Sequence, residues 1–266
     1  FGLTYQHAEL LASASSTQQA QDWVLSNGNT FIEDTGVGFS FFGTEYDSLE
    51  MLAGWSYDSR NRALFATRGT RQQFVLGFAI PGSDVEYYTA RYNFTRYFPL
   101  WRRWVLRFNA ELAIGEALGD TTALPPFKHF FGGGPESIRG YKESWMGPID
   151  SFGRPYGGNV LVASQLELII PIPERFSSQA RASIFYDIGN VFNTGEVNFT
   201  DKLGSPVEYK PDFDELRTSV GVAVQWLAPL GLFRFSYALP LNEFKGNDRF
   251  YGDQIERFQF SIGQAF

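Results

Sequence analysis

Cysteine is absent from the chain, which excludes thiolate zinc sites, disulfide frameworks and cysteine nucleophiles. Histidine is almost absent. His7 and His129 stand far apart, outside any HxxxH or ExxH spacing, and this argues against an imidazole-rich metal centre. Nothing in the pattern calls for a metal or a cofactor. Bases are in the minority: 22 lysines and arginines face 29 acids, for a net charge of −7. A chain of that sign is not built to neutralise the phosphates of a nucleic acid. Long apolar runs are missing too. No stretch approaches the roughly 20 consecutive apolar residues of a membrane-crossing helix. The start, Phe1-Gly2-Leu3-Thr4, lacks the basic-then-apolar pattern of a signal peptide, so the expectation is a mature piece of a protein.

What is abundant is aromatic side chain, 17% of residues including 27 Phe, beside a mean hydropathy of only −0.20. Large apolar residues are diluted by polar ones, as in a soluble β-sandwich or in a membrane barrel whose strands alternate between lipid and water. Period-two alternation runs through the chain. Phe258, Phe260, Ile262 and Phe266 share one face, opposite Gln259, Ser261, Gly263 and Ala265. Phe233, Phe235, Tyr237 and Leu239 repeat the pattern, as do Val220, Val222, Val224 and Trp226, and Ala228-Pro-Leu-Gly231 between them reads as a hairpin turn. Trp104 to Ile114 alternates for longer than a usual soluble strand.

Connection lengths separate the two architectures. Ten strands are expected, near residues 1 to 10, 47 to 59, 69 to 80, 84 to 97, 102 to 116, 159 to 171, 179 to 193, 214 to 227, 231 to 240 and 255 to 266. One set of turns is short. The other set is long, at residues 11 to 46, 117 to 158, 194 to 213 and 241 to 254, with only Pro81-Gly-Ser83 brief. A short-turn side and a long-loop side, repeated strand after strand, predict an all-β, antiparallel, up-and-down transmembrane β-barrel sheet. In the first long loop Thr17 is placed to cap a helix over residues 18 to 26, with Gly28 beyond its end.

The loop at residues 117 to 158 contains Phe130-Phe-Gly-Gly-Gly-Pro-Glu-Ser-Ile-Arg-Gly-Tyr141. Taken alone, Arg139 there reads as a solvated loop arginine. The following strands turn Gln165 and Glu167, then Asp187, away from their apolar faces. Two inward carboxylates on neighbouring strands could take a bidentate arginine from a loop folded into the lumen, or could be ordinary polar lining.

These residues carry a resemblance. Gly-Gly-x-x-Ser-Ile-Arg-Gly-Tyr, a Leu-Glu-Leu strand ending in Pro-x-Pro, Phe-x-Asp-x-Gly-Asn-Val-Phe and Gly-x-x-x-Gln-Trp-x-x-Pro-Leu-Gly occur in that order, downstream of Ile80-Pro-Gly-Ser-Asp-x-Glu-Tyr-Tyr88. Together they resemble the carboxy-terminal barrel of the BamA family, within the superfamily of outer-membrane assembly and translocation barrels. The resemblance covers essentially the whole chain, residues 1 to 266. It implies that Arg139, Gly140 and Tyr141 form a loop latch docked inside the barrel, with Glu167 and Asp187 as its acidic partners. It implies that Phe258, Phe260, Ile262 and Phe266 form a terminal β-signal. Ala66 departs from the family, which commonly has Pro there.

The resemblance further implies a sixteen-stranded parent preceded by POTRA domains, of which this chain aligns from about the seventh strand onward, as a partial barrel domain. Closure as a smaller barrel and self-association of the fragment are both open. The implied role is non-enzymatic: folding and inserting β-barrel proteins into the Gram-negative outer membrane. The implied partners are nascent outer-membrane β-barrel proteins, the lipid bilayer and, in the full-length protein, accessory assembly lipoproteins, with the fragment inactive by itself. A passive pore or two-partner secretion channel is the alternative. A hydrolase using serine, histidine and an acid is a third class, with no GxSxG beside either histidine.

Overall fold

The computed structural model describes residues 1–34 and 40–263. Its strands are β1 (Gly2–Ser13), β2 (Asn29–Asp34), β3 (Ser40–Asp58), β4 (Gly69–Ala79), β5 (Glu86–Pro99), β6 (Val105–Leu118), β7 (Gly140–Tyr141), β8 (Val160–Ile170), β9 (Ala180–Phe192), β10 (Phe199–Thr200), β11 (Pro206–Val207), β12 (Arg217–Ala228), β13 (Gly231–Pro240), β14 (Ile255–Glu256) and β15 (Phe258–Gly263). One antiparallel sheet runs β1-β3-β4-β5-β6-β8-β9-β12-β13-β15, with β2 also paired to β3. All ten expected strands lie on this path. Neighbours in the sheet follow one another in the chain, the up-and-down order that short turns and long loops impose.

Side-chain alternation sets the two faces. Along β8, Leu161, Ala163, Gln165, Glu167 and Ile169 are buried on the inner face while Val162 and Leu166 are exposed on the outer. The same division puts Ile184 and Tyr186 of β9, Val222, Val224 and Trp226 of β12, and Tyr237 and Leu239 of β13 outside. An apolar outer surface with polar and small residues inside is the inverse of a sandwich, whose apolar faces meet each other. Arg71 of β4 and Arg234 of β13 line one cavity although they are far apart in the sheet order, so the sheet curls around a lumen. Among the described residues, β1 and β15 each pair on one side only. No described helix is long and apolar enough to cross a membrane.

The helix α1 (Gln18–Ser26) forms as expected, with the Thr17 hydroxyl accepting from Ala20 N at 3.4 Å. Trp23 and Val24 bury against Tyr46, Tyr87 and Leu124, and Trp23 Nε1 donates to Ala123 O at 3.0 Å. This helix therefore packs a long loop inward, over the lumen.

Two expectations change. Residues 11 to 46, expected as a loop around one helix, also hold the end of β1, β2 and the first part of β3. Gly43 of β3 faces Leu11 of β1 on one side and Phe31 of β2 on the other, so a small three-stranded extension rises beyond β4. The adjacent Phe41 and Phe42 break strict alternation there, which hides the strand. Residues 255 to 266, expected as one strand, divide at Arg257. Ile255 and Glu256 turn inward to pair with Tyr141 and Gly140, and only from Phe258 onward does the chain join β13.

Candidate functional site

The connection from β6 to β8 folds back into the lumen because it carries its own apolar anchors. Phe130, Ile138, Tyr141 and Met146 form a buried cluster with Ala113, Leu161, Ala163 and Val191 of the wall. Burying Ile138 alone stabilises the docked loop by about 1.5–3 kcal/mol. The wall makes room with small residues: a Cβ on Gly189 would lie 3.0 Å from Ile138 Cδ1, tighter than van der Waals contact allows.

Those anchors place Arg139. Its Nε donates to Asp187 Oδ2 at 2.7 Å and its Nη2 to Asp187 Oδ1 at 2.7 Å, a bidentate fork, while Nη1 donates to Glu167 Oε1 at 2.5 Å. The Arg139 backbone N–H adds a bond to Asp187 Oδ2 at 3.1 Å. Below the guanidinium lies the Phe185 ring, 3.4 Å from Cζ to centroid. Arg139 is 5% exposed, Glu167 1% and Asp187 0%. At such burial an unpaired charge is strongly unfavourable, so each member depends on the others.

Gly140 and Tyr141 extend the dock toward the end of the chain. Gly140 has φ +91, and a Cβ there would lie 2.9 Å from Ala238 Cβ of β13, so both the backbone and the close approach require glycine. Gln259 of β15 accepts from Gly140 N at 3.2 Å and donates to Tyr141 O at 2.7 Å. The Tyr141 hydroxyl lies 3.2 Å from Thr218 O and 3.3 Å from Asn242 Oδ1, and burial raises its pKa. The loop is thus tied to β8 and β9 by charge, and to β12, β14 and β15 by hydrogen bonds.

Arg139, Glu167 and Asp187 therefore meet, and Gly140 and Tyr141 sit beside them. Phe258, Phe260 and Ile262 are elsewhere, exposed on the outer face of β15 against Tyr237, Phe235 and Phe233. Phe266 lies outside the described residues. Four residues, among them the inward Gln165, were not expected as partners of the loop. Arg107 Nη1 stands 3.2 Å from Glu167 Oε2, Gln165 donates to Ser137 O at 2.6 Å, Phe185 carries the guanidinium, and Gln259 holds the loop backbone. Inward position in the alternation was the available signal for each, but it does not say which inward residue meets a loop.

The histidines are occupied elsewhere. His129 is buried with Nδ1 3.1 Å from Tyr156 O and Nε2 3.1 Å from Leu124 O, and burial pushes its pKa down. His7 bonds Asp47 at 2.9 Å, with Tyr5 donating to the same carboxylate at 2.6 Å.

Comparison with known proteins places this geometry. The chain is 34% identical to the outer membrane protein assembly factor BamA of Neisseria meningitidis, over 100% of its own length and 34% of that protein. It is 27% identical to a SAM50-like protein of Drosophila melanogaster, over 79% of the chain and 44% of that relative. The crystal structure of BamA from Haemophilus ducreyi lacking POTRA domains 1-3 superimposes with a TM-score of 0.80 at 28% identity, covering 98% of this chain and 50% of that one. The chain spans about a third of the length of the curated bacterial relative that it matches throughout. The Omp85 superfamily domain matches residues 1–266, and the chain belongs to that superfamily.

Proposed function

We propose that this chain is the latch-bearing part of an outer-membrane assembly barrel, which helps to fold and insert nascent β-barrel proteins. The barrel sits in the outer membrane of a Gram-negative bacterium, with its apolar face against lipid. The observation that carries the reading is Gln259. Its side chain bonds the latch backbone on the inner side of β15, the last strand of the sheet path. Insertion of a client strand by β-augmentation requires a wall strand that can exchange partners, and the loop contact holds β15 from within. The role is non-enzymatic, and the full-length protein works with accessory assembly lipoproteins.

The test is genetic. In a strain depleted of its own assembly factor, the 266-residue chain grafted in place of the matching segment of a related BamA is expected to restore growth. The 266 residues expressed alone are expected not to. Failure of the graft with normal protein levels, or rescue by the chain alone, contradicts the proposal. A passive pore would instead give steady conductance and no restored assembly.

A further inference from the structure

Beneath the latch, at the short-turn end of the lumen, lies a cavity of about 220 Å³. Arg60, Arg71, Arg107, Arg139, Arg181 and Arg234 line it, together with Gln165, Gln225 and the carboxylates of Glu136 and Glu167. Each cation there is an arginine. Four carboxylates answer the six: Asp58 pairs with Arg60, Glu167 with Arg107 and Arg139, Asp187 with Arg139, and Glu136 with Arg234. Among the described residues Arg71 and Arg181 make no ion pair, which leaves two positive charges over.

Arg181 is the telling one. It is 7% exposed and its Nη2 donates to Ala66 O at 2.7 Å, while Phe65 and Tyr97 flank its guanidinium. A permanent cation at that burial, without a carboxylate, calls for an anion. Guanidinium forks match the oxygens of phosphate and carboxylate alike, but the surplus of two charges suits a dianion.

We propose that this cavity is an anion site for a small soluble phosphate, inorganic phosphate or a phosphate monoester, held chiefly by Arg181 and Arg71. A lipid phosphate does not fit the placement, because its acyl chains would have to cross the lumen rather than join the apolar outer face. The site stands apart from the assembly reading and from the latch pairs, since its two surplus charges belong to residues that the latch does not use.

The experiment is titration calorimetry of inorganic phosphate into the purified protein in detergent micelles, with ionic strength held constant by chloride. One saturable site per chain is expected. Arg181→Gln combined with Arg71→Gln is expected to weaken it at least tenfold, and Arg71→Gln alone, at an exposed strand position, to weaken it several-fold with the fold intact. Arg175→Gln, exposed in the short turn between β8 and β9 and outside the cavity lining, should leave it unchanged. Absence of saturable binding overturns the proposal, as does equal affinity in Arg71→Gln and the parent. Displacement of phosphate by dioleoyl phosphatidic acid, whose long acyl chains keep its phosphate in the micelle, would also overturn it, in favour of a lipid site.

Discussion

Arg139→Ala is expected to lower the unfolding free energy by about 3–5 kcal/mol, the range for breaking a buried ion pair from one side. The reason is what stays behind. Glu167 and Asp187 would remain on adjacent strands as buried carboxylates, with Glu167 keeping only Arg107 at 3.2 Å and Asp187 no cation. Arg139→Lys should recover only part of the loss, since an ammonium cannot reproduce the fork to Asp187 and the contact to Glu167 at once. Adding Asp187→Asn to Arg139→Ala should return much of the stability, because the one carboxylate left without a cation is then gone while Glu167 keeps Arg107. Urea titration in detergent, read by tryptophan fluorescence and by heat-modified mobility on a semi-native gel, measures all three. A midpoint for Arg139→Ala equal to the parent's contradicts the latch.

The second large effect concerns lipid. Phe260 lies midway along β15, 45% exposed on the outer face beside Phe235, with ring centroids 5.0 Å apart. Phe260→Arg is expected to destabilise the folded state in vesicles by about 2–4 kcal/mol, the range for a cation near the bilayer midplane. Phe213, 90% exposed in a long loop, is the control. Phe213→Arg should change stability by about 0.5 kcal/mol or less. Equal effects at the two positions would mean that the outer face of β15 does not meet hydrocarbon.

Most of the wall was legible because a membrane barrel writes its faces into the sequence with period two. Val222, Val224 and Trp226 against Ala223 and Gln225 locate both a strand and its orientation, and the Ala228 to Gly231 turn pairs as read. The latch acids were legible by the same rule, since Glu167 and Asp187 fall on inward positions. Alternation fails where a strand leaves the membrane. In β3 the run Phe41-Phe42-Gly43-Thr44 serves a rim packed between β1 and β2, and no apolar belt enforces its period. It fails again at Arg257, where Ile255 and Glu256 give up the wall for the loop. Gln259 was legible as inward but not as a partner. An amide can accept from one backbone group and donate to another wherever the loop presents them, and only the docked loop specifies that use.

The central claim is that the loop carrying Arg139 is docked inside the barrel against the segment entering the last strand. Tyr141 and Ile255 are register partners in the β7-β14 pair, so their Cα separation, about 4.5–5.5 Å for antiparallel partners, falls within reach of a disulfide. Since the chain has no cysteine of its own, Tyr141→Cys with Ile255→Cys gives an unambiguous readout. Near-complete disulfide formation under mild oxidation of the membrane-inserted protein, seen as a mobility shift reversed by reductant, is the predicted result. Two thiols that stay free while the barrel remains folded would contradict the docked loop.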